Sequence, residues 1–236
     1  HIEKTDTTLK DTITIIGVGD IMLGTNYPSS KYLPPENDCK PLLQSVLTIL
    51  KDADVTFGNL EGAFLNTGSV AKKCKDTTKC YVFRIPDAYV KCLAEAGFDI
   101  LSLANNHSYD FGQPGIINTI RLLDENDILY AGLLTHPTSI FIKDNIKFGF
   151  CAFSPNSGTC DIRNISNAQR IVRELDKQCD IVIVSFHGGA EGKNHQHITR
   201  KIEIFYGENR GNVYEFAHKV IDAGADIVFG HGPHVT

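Results

Sequence analysis

The amino-acid sequence predicts an α/β fold in which a mixed, largely parallel β-sheet is flanked by helices. Five short apolar, β-branched runs each stop at a glycine or small residue and then at a cluster of carboxylate, asparagine or histidine side chains. These runs cover residues 13–22, 54–61, 100–107, 181–189 and 226–234. Helical segments lie between them, and buried strands that alternate with helices are typical of parallel sheets. A predicted hairpin adds an antiparallel pair.

The first half of the chain alternates between predicted strands and helices. A polar leader occupies residues 1–11, and the first strand follows it. Pro41 begins an amphipathic segment with apolar residues at helical spacing as far as Leu50. Residues 62–85 are rich in Gly, Lys and Thr, which predicts an irregular excursion at the edge of the site. Pro86 begins the next helix, and Gly97 fits the position just past its end.

The second half adds the hairpin and further helices. Helices are predicted over residues 114–125, 168–177 and 213–223. A short strand is expected at 128–132, after the first of these helices. Residues 139–150 predict a hairpin whose turn contains Asp144 and Asn145, so the sheet is expected to be mixed.

Length, composition and charge restrict the classes of function. The chain has 236 residues, of which 42% are hydrophobic and 22% are charged, and this predicts one domain over residues 12–236. The net charge of −5 and the absence of a lysine stripe disfavour a nucleic-acid partner. No apolar run reaches the roughly 18 residues that a membrane span needs.

The first residue and the cysteines bear on where the protein works. The chain begins with His1 rather than Met, which predicts a trimmed chain or a mature protein whose signal or anchor was removed. The seven cysteines include no Cys-x-x-Cys pair, which disfavours a zinc ribbon or a thioredoxin-like site. Cys74 and Cys80 flank a polar loop that a disulfide could close. Free, mostly buried thiols are the alternative.

The polar clusters at the five strand ends predict one composite metal site. In open α/β sheets the ligand site lies at the carboxyl ends of the strands, so these clusters should meet at one edge. Imidazole nitrogen mixed with carboxylate or amide oxygen suits zinc, manganese or iron, and the donors suffice for two ions. The candidate ligands are Asp20, Glu61, Asn106, His187, His231 and His234.

Each candidate has a structural alternative when it is taken alone. Asp20 could cap the segment that follows it, and Asn105 and Asn106 could satisfy backbone groups in a tight turn. His187 could be a core histidine whose ring nitrogens are satisfied. Taken together at five strand ends, these alternatives account poorly for the pattern.

Two other patterns point less clearly to a site. His195 and His197 alternate along a polar stretch that could be a solvated loop or a lid. Gly17 and Gly19 lack the third glycine of a dinucleotide fingerprint, because Met22 stands where that glycine is required. The carboxylate of Asp20, which follows Gly19, would also repel a pyrophosphate.

Five pieces of the sequence also carry a resemblance to a known family. They read Gly19-Asp20-Ile21-Met22-Leu23-Gly24, Gly58-Asn59-Leu60-Glu61-Gly62, Ala104-Asn105-Asn106-His107, Phe186-His187-Gly188-Gly189 and residues 223–235. In this order they resemble the bacterial capsule-synthesis family, known as CapA or poly-γ-glutamate synthesis proteins, within the calcineurin-like metallophosphoesterase superfamily. The resemblance implies a layered, sandwich-type α/β fold with the site at the strand ends.

The resemblance implies a role for each candidate side chain. Asp20 and His234 would serve one metal. The other metal would be held by Asn106, His187 and His231. His107 would be the general acid or charge-stabilising histidine beside a leaving oxygen.

The motifs depart from the superfamily pattern at two places. Met22 stands where the first motif usually has a histidine. The usual bridging aspartate is replaced by Asn59, with Glu61 two residues on, so either side chain could take the bridging position. Asn59 and Asn105 are therefore expected to support the site, and the loss of an anionic bridge weakens the expectation of two ions.

The resemblance implies a metal-dependent hydrolase of the phosphoesterase type that uses a metal-activated water in capsule, poly-γ-glutamate or cell-envelope polymer metabolism. Its cofactors would be one or two divalent Mn, Zn or Fe ions. A non-catalytic polymer- or ion-binding component of a polyglutamate synthesis and export assembly is the first alternative, and amide hydrolysis or transfer on polyglutamate is the second.

The same resemblance implies partners and a location. The expected substrate is an anionic polymer or phosphoester, and the expected partners are membrane-bound capsule synthesis proteins, with no nucleic acid. The expected location is extracytoplasmic, at the bacterial cell surface or in the periplasm, with membrane association through an N-terminal segment outside this sequence. The family generally continues beyond the position of Thr236, so a truncated C-terminal end is also expected.

Overall fold

The chain folds into four layers, with two β-sheets face to face and helices on both outer sides. The computed structural model describes residues 12–73 and 80–235. Apolar side chains from both sheets, including Phe57, Phe150 and Ile183, form a buried cluster between the sheets. Two further clusters lie between each sheet and its helices. The layered, mixed α/β fold expected from the sequence is confirmed.

The elements follow one another along the described residues as strands separated by helices and loops. The strands are β1 (Ile15–Ile21), β2 (Val55–Leu60), β3 (Ala63–Phe64), β4 (Arg84–Ile85), β5 (Ile100–Ser102), β6 (Leu129–Ala131), β7 (Thr138–Lys143), β8 (Ile146–Phe153), β9 (Ile181–His187), β10 (Ile204–Phe205), β11 (Glu208–Asn209) and β12 (Ile227–His231). The helices are α1 (Lys40–Gln44), α2 (Leu47–Asp52), α3 (Val90–Ala96), α4 (Gly112–Glu125), α5 (Ile165–Asp176) and α6 (Val213–Ile221).

The first sheet is parallel throughout and has the strand order β1-β2-β5-β6. Every residue of β2 and β5 is buried, because helices cover one face of the sheet and the second sheet covers the other. The register pairs Asp20 on β1 with Asn59 on β2. Two polar side chains therefore meet where these strands end.

The second sheet has the order β12-β9-β8-β7 and contains the predicted hairpin. Strands β7 and β8 are antiparallel, and their turn holds Asp144 and Asn145 at φ values of 51° and 64°. Two consecutive residues with positive φ match the twist of a hairpin, and Asp and Asn tolerate this conformation. Strands β8, β9 and β12 are parallel, and the last pair aligns His187 with His231.

Caps fix the ends of several helices. Gly97 follows α3 with φ 88°, which is the left-handed conformation expected at this position. The side chain of Asn164 accepts a hydrogen bond from the backbone of Asn167 at the start of α5. At the start of α6 the side chain of Asn212 accepts a hydrogen bond from the backbone of Glu215. The two asparagine caps satisfy backbone N–H donors that a helix leaves unpaired at its start, whereas the N–H of Gly97 donates to carbonyl oxygens at the end of α3.

The predicted helix from Pro41 to Leu50 is wrong in one respect, because the segment forms two short helices, α1 and α2. Of their side chains only Leu50 is buried, whereas Val46 between them and Ile49 in α2 remain exposed. Leu43 and Leu47 are partly buried and pack with Leu50 against the cluster between the first sheet and its helices, so part of the predicted apolar stripe is covered. In addition, the strand expected over 100–107 leaves the sheet after Ser102, and the excursion 62–85 contains the short parallel pair β3 and β4.

A disulfide joins Cys39, which precedes α1, to Cys92 on α3, and both residues are buried. The pairing of Cys74 with Cys80 cannot be tested, because Cys74 lies outside the described residues, as do the polar leader 1–11 and Thr236. Cys151, Cys160 and Cys179 are free thiols. Within residues 12–73 and 80–235, no helix is long and apolar enough to cross a membrane.

Candidate metal centre

The candidate site lies where the carboxyl ends of both sheets meet. Asp20 and Asn59 come from the first sheet, and His187 ends β9 of the second. The side-chain nitrogen Nδ2 of Asn59 lies 3.3 Å from Nδ1 of His187, so the two sheets contact each other through the site. The convergence expected from the strand ends is present in the structure.

Three side chains form a group that can hold a cation. These are Glu61, His187 and His234, and their ligand atoms all lie within 4.8 Å of one another. Oε1 of Glu61 is 3.9 Å from Nε2 of His187 and 3.8 Å from Nε2 of His234. Glu61 follows β2, and His234 follows β12, so the group draws on both sheets. One carboxylate and two imidazoles suit a borderline divalent ion.

Asp20 lies on the other side of the two histidines and orients their rings. Its Oδ1 is 3.5 Å from Nδ1 of His187, and its Oδ2 is 3.0 Å from Nδ1 of His234. Both Nε2 atoms therefore face Glu61. Carboxylates commonly hold metal-binding histidines in this way, because the contact at one ring nitrogen fixes the other as the ligand atom.

The electrostatics of the site reflect this arrangement. Burial alone would raise the pKa of Asp20, but hydrogen bonds from His187, His234 and Asn59 outweigh it and hold that pKa well below its usual range. Burial lowers the pKa of His187 to about 4 despite the opposing contact with Asp20. The hydrogen bond to Asp20 raises the pKa of His234, although partial burial opposes it.

Buried polar atoms without partners test whether a cation fits. Oε1 of Glu61 and Nε2 of His187 are both buried, and neither has a hydrogen-bond partner among the described residues. Oδ1 of Asn106 is in the same condition. Leaving a buried polar atom unpaired costs roughly 1–3 kcal/mol, more if it is charged. Burial and the nearby charge of Asp20 also raise the pKa of Glu61 to about 7. A bound cation would satisfy the orphaned atoms of Glu61 and His187, so these residues fit a metal.

His107 approaches the same group from the first sheet. Its Nε2 lies 3.8 Å from Oε1 of Glu61, and its Nδ1 is 2.7 Å from Oδ2 of the fully buried Asp110. The ring of Phe83 stacks on the His107 ring, with the centroids 4.0 Å apart. Burial lowers the pKa of His107, whereas Asp110 opposes that shift.

Lys72 completes the surroundings of His107. Its Nζ is 3.1 Å from Oδ1 of Asp110, and it donates to the backbone carbonyl oxygens of Tyr81 and Asn106 at 3.1 Å each. The excursion 62–85 is thereby tied to the segment that carries His107.

The sequence did not single out Lys72 or Asp110. The only available signal for Asp110 is its position three residues after His107, and Lys72 lies in a stretch that carries no motif. The structure assigns both to the site.

Asn59 and Asn105 link the strand ends by hydrogen bonds. Nδ2 of Asn59 donates to Oδ1 of Asp20 at 2.7 Å, and Oδ1 of Asn59 accepts from Nδ2 of Asn105 at 3.2 Å. Oδ1 of Asn105 accepts from the backbone nitrogen of His107 at 3.0 Å. These contacts hold Asp20 and His107 in fixed relation.

The structure does not bring His231 to the cation group. Its Nε2 lies 3.0 Å from the backbone oxygen of Val18, and its Nδ1 lies 3.3 Å from that of Phe186. Both ring nitrogens thus face backbone carbonyls, one in each sheet. His231 joins the sheets beside the site, and His234, three residues later, reaches the group. His195 and His197 are not in the group either.

Comparison with known proteins decides the family. The model of the family described as "Bacterial capsule synthesis protein PGA_cap" matches residues 14–236. The chain belongs to this family. The resemblance identified from the five motifs is therefore confirmed.

Capsule synthesis proteins of named bacteria are among the relatives. The chain is 26% identical to the capsule biosynthesis protein CapA of Bacillus anthracis, over 94% of this chain and 54% of that protein. It is also 26% identical to the PGA biosynthesis protein CapA of Bacillus subtilis, over 98% of this chain and 60% of that protein. A probable polyglutamine synthesis accessory protein of Mycobacterium tuberculosis is 28% identical, over 77% of this chain and 50% of its own length. The chain thus spans about half to three-fifths of these relatives.

Two solved structures share the fold. A hypothetical protein from Thermus thermophilus superposes with a TM-score of 0.52 at 18% identity, covering 94% of this chain and 69% of its own. A putative 5′-nucleotidase from Staphylococcus aureus, solved in complex with alpha-ketoglutarate, gives a TM-score of 0.53 at 17% identity, covering 92% and 44%. At these identities the likeness shows a shared fold and nothing more.

Proposed function

We propose that this capsule synthesis chain is a metal-dependent hydrolase of the phosphoesterase type, acting in capsule, poly-γ-glutamate or other cell-envelope polymer metabolism. One observation carries the proposal. Glu61, His187 and His234 present buried ligand atoms to a common point, and two of these atoms have no other partner among the described residues. Family membership supports the polymer context.

The residues of the site have separate roles in this proposal. Glu61, His187 and His234 would hold one divalent ion of manganese, zinc or iron, and Asp20 keeps both imidazoles turned toward it. When bound, such an ion polarises a phosphoryl oxygen and lowers the pKa of a coordinated water. A second ion would need further donors, of which the orphaned Oδ1 of Asn106 is the candidate.

His107 supplies the proton chemistry. The carboxylate of Asp110 accepts from Nδ1 and opposes the effect of burial, which lowers the pKa of His107. In the protonated form of the ring, Nε2 would carry the proton for the leaving oxygen. Phe83 covers the ring and limits its rotation. In this proposal His107 is the general acid and Asp110 is its positioning residue.

The disulfide between Cys39 and Cys92 supports an extracytoplasmic location, which we include in the proposal. Disulfides persist in oxidising compartments and are rare in the cytosol. The two cysteines are 53 positions apart in the sequence, and both are among the described residues. Membrane-bound synthesis proteins are the proposed partners, since a relative is named as an accessory protein of such a synthesis.

Metal content and turnover test the proposal together. Purified protein reconstituted with manganese or zinc should hold about one ion per chain by elemental analysis and should cleave an activated phosphodiester. Glu61→Gln and His187→Ala should lose both properties. His218→Ala is the matched control, because this histidine is exposed on α6 and contacts the ring of Tyr214. Absence of both metal and turnover after reconstitution would overturn the proposal.

A non-catalytic component that binds a polymer or an ion is the second candidate. The amide of Asn59, where the superfamily usually has an anionic bridge, favours it because fewer charges draw in a second ion. Stoichiometric metal with no turnover on phosphodiesters or on polyglutamate amides, combined with polymer binding, would select this function.

A further inference from the structure

A cleft of about 430 Å³ opens beside His234, one of the three side chains of the cation group. One wall is the segment 191–195 after β9, and another is formed by Phe205 and Tyr206 near the turn between β10 and β11. Pro233 borders it next to His234. The cleft therefore borders the candidate centre at His234.

The turn that carries Tyr206 has a defined shape. Tyr206 and Gly207 both have positive φ values, 49° and 75°, between the antiparallel strands β10 and β11. This geometry is that of a tight two-residue hairpin turn, and the side chain of Tyr206 is exposed there. The rings of Tyr206 and Phe205 lie 4.2 Å apart, and His195 meets Phe205 edge-on at 5.9 Å. The aromatic wall is thus continuous.

The charges around the cleft favour an anion. Lys193 lines it and is exposed, so its ammonium group is available to a ligand. The acid of the cleft, Glu191, is paired with the guanidinium of the buried Arg210, with Oε1 2.7 Å from the nearer nitrogen. That ion pair offsets the negative charge of Glu191, and a cation at the neighbouring centre would add positive charge.

We infer that this cleft binds an anionic group, carboxylate or phosphate, on the segment of a polymer chain next to the bond held at the metal centre. Lys193 contacts the anion, and Phe205 and Tyr206 pack against the aliphatic part of the chain. The inference rests on the proposed function for the identity of the neighbouring centre, but the binding itself does not need turnover.

Equilibrium binding of two chemically defined oligomers tests the inference. The probes are a γ-linked glutamate oligomer and a glycerol phosphate oligomer of equal charge, measured by calorimetry on metal-free and on metal-loaded protein. Lys193→Gln should weaken binding about three- to fivefold, as expected for an exposed charge contact. Lys193→Glu should weaken it about tenfold or more. Lys201→Gln and Lys201→Glu are the matched controls, because Lys201 is exposed in the same connection between β9 and β10 but does not line the cleft.

The outcomes distinguish anion binding in the cleft from hydrolysis at the proposed metal centre. If the Lys193 variants bind the oligomers more weakly than the Lys201 variants do, and their metal content is unchanged, the anion binds in the cleft. The oligomer that binds more tightly then shows whether the anion is a carboxylate or a phosphate. This result would support the inference even if the protein hydrolysed nothing. Only the proposed hydrolysis would then be refuted. Equal weakening by the Lys193 and Lys201 variants, or no weakening by either, would overturn the inference.

Discussion

Removal of the disulfide between Cys39 and Cys92 should strongly destabilise the protein. The bond ties the start of α1 to α3 and closes a loop with a sequence separation of 53. In the chain-entropy model, closing a loop of this length removes about 14 cal/mol/K from the unfolded state, which is about 4 kcal/mol at 25 °C. For a domain of this size each kcal/mol corresponds to about 2–4 °C, so the melting temperature should fall by about 8–16 °C.

The assay compares the double variant Cys39→Ala/Cys92→Ala with the unchanged protein by thermal and urea unfolding. Cys151→Ala provides the control, because Cys151 is a buried free thiol and measures the cost of losing one buried sulfur. Non-reducing peptide mapping should recover the linked peptides of Cys39 and Cys92. If the double variant loses no more than twice the cost of the control, the loop-closure reasoning is refuted. If the mapping recovers no linked peptides, the support for an oxidising compartment is lost.

Three further predictions follow from the site. In the metal-free protein burial raises the pKa of Glu61 to about 7 from an ordinary 4.5, so its contribution to stability is complete below pH 4.5 and is lost as the pH rises through 7. The lowered pKa of His187, about 4, adds a change of opposite sign over this range, so the comparison with Glu61→Gln isolates Glu61. The difference in unfolding free energy between the unchanged protein and Glu61→Gln should fall from pH 4 to pH 8. Asp110→Asn should lower turnover about 10- to 100-fold with unchanged metal content, because it removes the carboxylate that holds His107, and steady-state kinetics with elemental analysis should show this. Gly232→Ala should destabilise the fold by about 1–3 kcal/mol and weaken metal binding. The reason is that φ is 138° at this position and a Cβ would overlap the carbonyl oxygen of Gly188. Thermal unfolding should show the first effect and metal titration the second.

The sequence predicted the strands and the edge at which they end because those features are encoded locally. Each run of β-branched residues is short enough to be one strand, and the turn at Asp144 and Asn145 is specified by two adjacent residues. The site could be placed at the carboxyl edge because parallel strands that alternate with helices bring their ends together. None of these inferences required knowledge of distant contacts.

The features that the sequence did not reveal depend on packing between distant segments. Cys39 and Cys92 are far apart in the chain and pair because α1 and α3 lie side by side, which no local pattern of the sequence indicates. The positions of Lys72 and Asp110 depend on how the excursion folds over His107, which no local pattern specifies.

The different positions of His231 and His234 have a conformational cause. His231 is the last residue of β12, and its ring lies between backbone carbonyls of the two sheets. At Gly232 the chain turns with φ 138°, and His234 itself has φ 53°, which brings its ring back over the site. The spacing of the two histidines alone does not distinguish a sheet contact from a ligand.

The amide at Asn59 explains how the site can be ordered before a cation binds. Its Nδ2 donates to Asp20, and its Oδ1 accepts from Asn105, so both ends of the amide are used. An aspartate at this position would set a second carboxylate against Asp20, and like charges at this distance repel unless a cation lies between them. With the amide in place, Asp20 is free to orient His187 and His234. In the proposed centre the anionic ligand would then be Glu61, whose Oε1 has no hydrogen-bond partner among the described residues and faces both Nε2 atoms. Because a single anionic ligand attracts a second cation less strongly, we expect the centre to hold one ion.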